Sequence, residues 1–389
     1  MSAPTASVHT SDKSKKVYRW RIVGNVAVVL LVAVTTLWAY WGMAEMYYEG
    51  WWGEWTNRLP YLIPGTAFLL LSLLIIRWPR LGGWLLILLG GGFTAFYWSV
   101  QFSRWGFNWE AFLSMFPVSG LLVLLGVCFV LAGSAQRHYP QVQTPSSAGR
   151  WAFVQRNWRY LLAVGLPLLV AIVVSAINVP IILARVDDGD RGAQLVIGNG
   201  VTLVWAPAGP GWGRGMLRAD QKNFNQPGAV LSWNEIALYG RPPIGVGDKP
   251  GFVGLACDSS TDAGCATQVD MAATGLCRYL SADGLQLQNE PQDIWRMPTV
   301  DEMVRSLARH GANSGCTWDG KTDSAECAIT PDKEPPLWDP DSSAVYYWAA
   351  DEYNLVEAYY INYNGNAVHS QPKSFGNARH GYRCVREPE

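Results

Sequence analysis

Aspartate, glutamate, lysine and histidine are absent from the five long apolar stretches that fill the first half of this 389-residue chain. Ion and proton paths through a bilayer are built on such residues, so their absence argues against a transporter or pump. Histidine is scarce throughout: His9, His138, His310, His369 and His380 are the whole complement, and none are spaced as in HxxxH. No glycine-rich phosphate loop follows a strand and no G-x-S-x-G elbow occurs, so nucleotide-binding and serine-hydrolase signatures are missing. Cysteine is nearly missing from the first half, where Cys128 alone occurs, mid-stretch, as a small apolar residue.

What the first half does hold is apolar length. The runs cover Ile22–Met43, Leu59–Ile76, Leu81–Val100, Phe112–Gly133 and Tyr160–Ala184. About 18 or more such residues suffice to cross the hydrocarbon layer as a helix, so five spans are expected. The first run is too long for a cleaved signal peptide, no small-x-small site follows it, and four more runs come after. Lys13, Lys15, Lys16, Arg19, Arg21, Arg77, Arg80, Arg137, Arg150, Arg156 and Arg159 fall on one side of these spans, against only Arg58 and Arg104 on the other. The positive-inside rule then places the N-terminus in the cytoplasm and everything after Ala184 outside.

The net charge of −1 conceals a dipole: residues 1–184 carry +8 and residues 185–389 carry −9. An acidic outer segment disfavours nucleic acid as a partner, since phosphate binding needs a basic face. Six of seven cysteines also lie in this second half, which fits disulfides in an oxidising compartment. The division expected is a cytoplasmic tail (1–21), a five-helix transmembrane domain (22–184) and an extracytoplasmic domain (185–389). Gln141–Gly149 reads as a short polar linker.

Aromatic residues gather at the expected outer ends: Trp38, Tyr40, Trp41, Tyr47, Tyr48, Trp51, Trp52, Trp55, Tyr97, Trp98, Trp105 and Trp109. An interfacial belt is the ordinary reading. With Glu45, Glu49 and Glu54 added, a cation or cofactor site is the sharper one.

The outer segment alternates short apolar runs with turn residues. Gln194–Ile197 and Val201–Trp205 flank Gly198-Asn199-Gly200, a hairpin pattern. Helices are expected from Trp233 after a Ser232 cap, over Met271–Leu280, and from Thr299 to about His310. Late strands are expected at Val345–Trp348, Glu357–Tyr363, Ala367–Ser370 and Tyr382–Arg386. The fold class is therefore a multi-pass α-helical membrane domain followed by an α+β outer domain.

Within that domain, Asp293-Ile294-Trp295-Arg296-Met297-Pro298-Thr299-Val300-Asp301-Glu302-Met303 resembles the DWRLPTxxEL signature of the Lcl C-terminal domain family. Gly275–Leu280, Tyr347–Ala350, Tyr359–Gly365 and Tyr382–Arg386 resemble further elements of that family in the same order, over about residues 190–389. The resemblance implies a C-type-lectin-like fold, similar to the formylglycine-generating, sulfatase-modifying enzymes, and a bacterial inner-membrane protein with a periplasmic outer domain. It also implies a disulfide between Cys277 and Cys384. Of the remaining cysteines, Cys316 and Cys327 flank a ten-residue loop, and Cys257 and Cys265 would pair locally; six cysteines allow 15 connectivities.

Trp295, Pro298 and Trp348 are expected in the core or at turns, with aromatic sugar stacking as their functional alternative. Arg296 and Arg383 are expected in structural ion pairs, and Glu302 in a helix cap. Asp339, Asp341, Asp351, Glu352 and Asn354 could supply oxygens to calcium; otherwise no cofactor is expected. The function expected is non-catalytic: a membrane-anchored recognition or accessory protein, docking other membrane subunits or itself, whose outer domain binds a glycan or peptide. The alternative is an extracytoplasmic enzyme on the sulfatase-modifying scaffold. Those enzymes use a reactive cysteine pair near the C-terminus, where this chain has only Cys384.

Overall fold

The computed structural model describes residues 8–51, 55–105, 107–116, 119–138, 150–213, 232–240, 265–321, 323–338, 344–365, 368–375 and 379–389. Trp52, Glu54, the 141–149 linker, Cys257, Asp339, Asp341 and Ala367 lie outside these residues. The chain divides into two compact units: Met1–Tyr48 with Arg58–Val179, and Glu49–Asn57 with Pro180–Glu389.

The first unit is helical: α1 (Val8–Glu45), α2 (Leu59–Arg77), α3 (Pro79–Trp105), α4 (Trp109–Met115), α5 (Gly120–His138) and α6 (Arg150–Leu183), whose last turn enters the second unit. Four stretches are long and apolar enough to cross a bilayer: Arg19–Gly50, Trp55–Arg77, Pro79–Ser99 and Ala152–Leu183. The fifth, Gly120–Ala135, is shorter. The fourth expected span thus starts later than Phe112. The apolar run divides between α4 and α5, and residues 117–118 between them lie outside the described residues.

Glycine and small hydroxyls make the packing of this unit. A Cβ on Gly83 would sit 2.8 Å from the Gly126 carbonyl, and one on Gly126 would sit 2.7 Å from the Gly83 carbonyl. The backbones of α3 and α5 therefore touch, which only small residues allow. Gly90 meets Leu122 in the same way, and Gly82 meets Ile75 across the α2–α3 turn. The Thr35 and Ser72 hydroxyls share a buried hydrogen bond at 2.8 Å between α1 and α2. Tyr47 Oη donates to Ser175 Oγ at 2.9 Å, and Arg159 Nη2 to Asn25 Oδ1 at 2.5 Å, tying α6 to α1.

The second unit contains the sheets. β1 (Gln194–Gly198) and β2 (Val201–Trp205) form the expected hairpin, with Asn199 and Gly200 at φ 48° and 86°. Two successive positive φ values are the demand of a type I′ turn, which Asn-Gly meets best. β10 (Val385–Arg386) joins the other edge of β2. A second sheet runs in the order β3 (Trp212–Gly213), β9 (His380–Arg383), β6 (Tyr346–Glu352), β7 (Glu357–Asn362), β8 (Val368–Pro372); β6 and β9 are parallel and the other pairs antiparallel. β4 (Ala308–Arg309) and β5 (Ala312–Asn313) make a small hairpin.

Three short helices, α7 (Trp233–Ala237), α8 (Gln268–Thr274) and α9 (Val300–Arg305), each open with a reciprocal capping box: Ser232–Glu235, Thr267–Asp270 and Thr299–Glu302. Two end earlier than expected. α8 stops at Gly275, after which Leu276–Tyr279 tightens into a 3₁₀ turn. The segment after α9 leaves the helix to build β4. Trp233, Tyr279, Trp295, Trp348, Tyr360 and Tyr382 share one buried core.

Buried charge in this unit is matched locally. The Lys373 ammonium, wholly enclosed, donates to Glu352 Oε2 at 2.6 Å, Ala266 O at 2.8 Å and Leu355 O at 3.0 Å, with the Trp233 ring 5.0 Å away. Its three protons thus meet three acceptors, which offsets much of the cost of burial. Arg185, just after α6, pairs with Asp332 at 2.6 Å, and Val186 N donates to Glu334 Oε1 at 3.2 Å. The α1–α2 connection also belongs to this unit: Tyr346 Oη donates to Glu49 Oε1 at 2.5 Å.

Candidate functional site

The motif around Trp295 proves to be a structural hub. Trp295 is buried, and its indole N–H donates to Ser281 O at 2.9 Å. Arg296 grips Glu302 with two hydrogen bonds of 2.7 and 2.6 Å and reaches Glu387 at 2.7 Å. The paired carboxylates raise the Arg296 pKa further above its already high range, chiefly through Glu302. Burial pushes the Glu302 carboxyl up, but hydrogen bonds from Arg296 and the Thr299 backbone pull it below its ordinary value. Arg296 also exchanges backbone hydrogen bonds with Val385 at 2.9 and 2.8 Å, and the Pro298 carbonyl accepts from Ala350 N at 2.8 Å. Trp348 is fully buried, so neither it nor Trp295 offers a face to a sugar.

Cys277 is bonded to Cys384, and Cys316 to Cys327. Cys265 is also in a disulfide, and its expected partner Cys257 lies outside the described residues. Arg383 is buried over the Trp212 ring at 3.6 Å and donates to the carbonyls of Pro336, Leu337 and Ala206; its described partners are dipoles and a π-face. Asp351 and Glu352 serve different neighbours. Asp351 Oδ2 accepts from Val300 N at 2.6 Å at the start of α9, whereas Glu352 holds Lys373. No group of three or more metal-ligating side chains occurs among the described residues.

A partly exposed aromatic row lies on the opposite face of β7. Side chains alternate along a strand, so Tyr360 enters the core while Tyr359 turns outward. The Trp318 ring lies 5.4 Å and the Tyr353 ring 5.3 Å from the Tyr359 ring, with interplanar angles of 76° and 82°. Edge-to-face contact is the favoured arrangement for aromatic quadrupoles, so the three rings hold one another in place. Tyr353 is 55% exposed, and Trp318 and Tyr359 are partly open. Trp318 sits inside the loop closed by Cys316–Cys327, and Tyr353 on the turn between β6 and β7.

Polar groups border this aromatic row. Ser370 lies directly across from Tyr359 in the β7–β8 register, and its hydroxyl donates to Glu357 Oε2 at 2.9 Å. Asp323, 83% exposed, has Oδ1 3.9 Å from His369 Nδ1. Partial burial raises the Tyr359 phenol pKa, with Tyr353, Asp351 and Asp323 adding to it, so the ring keeps a neutral hydroxyl. The row was missed from sequence. The signal available was the pair Tyr359-Tyr360 on a strand, of which one must face outward.

The inner face of the same sheet holds a different aromatic cluster. His380 is enclosed by Tyr346, Trp348, Tyr360 and Phe375 at centroid distances of 5.0 to 5.6 Å. Burial pulls its pKa down to about 4, so the ring is neutral at physiological pH. No family model, curated protein or solved structure matches the chain.

Proposed function

We propose that this protein is a membrane-anchored recognition component whose outer domain binds a glycan of the cell envelope through Trp318, Tyr359 and Tyr353. The observation that carries this reading is the row itself: Trp318 and Tyr353 packed edge-to-face on Tyr359, all three partly or largely exposed, with Glu357, Ser370 and Asp323 nearby. The C–H faces of a pyranose ring suit the electron-rich face of an aromatic side chain, and carboxylate and hydroxyl groups beside it suit sugar hydroxyls. The test is retention of the solubilised protein on immobilised envelope polysaccharide. Retention by the wild-type chain and its loss in Trp318→Ala and Tyr359→Ala, with melting unchanged, is the expected result.

The orientation proposed is N-terminus in and outer domain out, in a bacterial inner membrane. The basic asymmetry of the connections supports it, as do the disulfides and the grouping of Glu49–Asn57 with the outer domain. The Lcl C-terminal, lectin-like assignment of residues 190–389 is supported by its motif residues serving as core and cap positions. A role as one subunit of a larger membrane assembly is supported by α3. Among the described residues nothing lies within 4 Å of a Cβ position on Gly91 or Gly92, which leaves room there for another backbone.

A further inference from the structure

Among the described residues, the sheet built from β1, β2 and β10 ends in an edge without the usual protection. β1 lies outermost, and its sequence Gln194-Leu195-Val196-Ile197-Gly198 contains no charge and no proline. Its pairing with β2 runs in unbroken register without a bulge. Natural edges are ordinarily blunted by one of these devices, because an open row of N–H and C=O groups invites another strand.

The direction of the edge groups follows from the hairpin. Residues flanking a two-residue turn exchange both hydrogen bonds, and bonded and non-bonded pairs then alternate. Gly198, Val196 and Gln194 are therefore bonded to β2, and the backbone groups of Leu195 and Ile197 point outward. The far side of β2 agrees with this parity: Ala206 N donates to Cys384 O at 2.9 Å, and Val385, opposite Trp205, turns its backbone away to Arg296. The outward groups of Leu195 and Ile197 have no partner among the described residues. Their side chains are 53% and 68% exposed, while Val196 between them is buried.

We infer that β1 pairs antiparallel with β1 of a second copy of this chain. The strand is self-complementary about Val196. Antiparallel pairing sets Leu195 opposite the partner copy's Ile197, and Ile197 opposite its Leu195. Those two pairs exchange four backbone hydrogen bonds, and the four exposed apolar side chains close over one another on one face. Charge favours the same direction. Asp188 and Asp190, which lead into β1, run away from the partner copy's aspartates and toward its Asn199-Gly200 turn, where Arg305 donates to Asn199 O at 3.0 Å while pairing with Asp301 at 2.7 Å. Parallel pairing would bring the two aspartate segments together, which like-charge repulsion opposes. A two-fold, isologous contact of this kind closes on itself and does not propagate into a fibre. The inference makes a second copy one member of the proposed assembly, and to that extent rests on that reading.

The test uses the full-length chain in lipid nanodiscs or mild detergent. Mass determination is expected to show a dimer. In a Cys128→Ser background, Leu195→Cys combined with Ile197→Cys is expected to crosslink between copies with a short thiol-reactive spacer. Ile197→Pro removes an outward donor but no bond to β2, and is expected to give a folded monomer. If that variant does not fold, the exposed pair Leu195→Lys with Ile197→Lys replaces it, with the same expected loss of the dimer. Val269→Ser, at another exposed apolar position (76%), is expected to leave the dimer intact. A monomeric wild-type chain, or a dimer that survives both edge variants, overturns the pairing. A monomer that co-purifies with a different membrane protein overturns it too, while leaving the subunit reading standing.

Discussion

Arg296 and Glu302, six residues apart, are joined by two hydrogen bonds of 2.6 and 2.7 Å, and Glu302 also accepts from Thr299 N at 2.8 Å. One carboxylate thus caps α9 and anchors the arginine whose backbone bridges to Val385 beside the C-terminal disulfide. The motif that stands out in the sequence is a fastening between the middle and the end of the domain.

Glu302→Ala is accordingly expected to destabilise the outer domain by about 2 kcal/mol, from loss of the cap and of a charge-assisted pair. Glu302→Gln keeps the capping geometry and removes the charge. Because the folded carboxyl titrates below its unfolded value, its contribution is present above the ordinary glutamate pKa and is lost as pH falls through the folded value. Denaturation at pH 7 and at pH 3 is expected to separate wild type from Glu302→Gln at neutral pH and to bring them closer together in acid, while Glu302→Ala stays below Glu302→Gln at both.

The two described disulfides close loops of very different size, with separations of 107 and 11 residues. Chain-entropy arguments give about 5 kcal/mol for Cys277–Cys384 and about 3 kcal/mol for Cys316–Cys327. The first pair replaced by serine is expected to abolish the folded outer domain. The second is expected to leave it folded but to loosen the loop bearing Trp318. Protease sensitivity and non-reducing peptide mapping check both outcomes.

His380 makes the outer domain acid-sensitive by a second route. Its folded pKa of about 4 lies below the ordinary histidine value, so the unfolded chain binds the proton more readily. Stability is therefore complete above the unfolded pKa and declines as pH falls from about 6.5 toward 4, by roughly 3 kcal/mol in all. His380→Gln is expected to flatten the melting temperature over that interval. An equal decline in the variant would remove His380 as the cause.

Glycines of α3 divide into two kinds. Gly83→Leu would drive a side chain into the α5 backbone and is expected to unfold or misassemble the helical unit. A Cβ at Gly91 meets nothing within 4 Å among the described residues, and Gly91→Leu is expected to leave the isolated protein unchanged. If α3 contacts another subunit there, Gly91→Leu is expected to lower co-purification only.

Local features were legible where short-range chemistry decides them. Asn199-Gly200 announces the hairpin, and Ser232 and Thr299, each three residues before an acid, mark two helix starts, whereas α8 begins at Gln268 behind Thr267, ahead of the expected Met271. Helix ends were not legible, because tertiary demands set them: Gly275 breaks α8, and residues after Arg305 are taken into β4. The division of the fourth apolar run between α4 and α5 was hidden by the hydrophobicity on both sides. The aromatic row was not legible for a physical reason. Trp295 and Trp348 stand out by type but are buried, whereas Tyr353, Tyr359 and Trp318 come from a turn, a strand and a disulfide loop brought together only by folding.

The most direct measurement is calorimetric titration of the intact, detergent-solubilised protein with soluble oligosaccharides of envelope polysaccharide, comparing wild type with Tyr359→Ser. Loss of the central ring removes a stacking face and the brace for its two neighbours. The account predicts saturable binding to the wild-type chain and at least about tenfold weaker binding to the variant, with unchanged melting. Equal affinity in both, or no glycan binding by a folded wild-type protein, would contradict it.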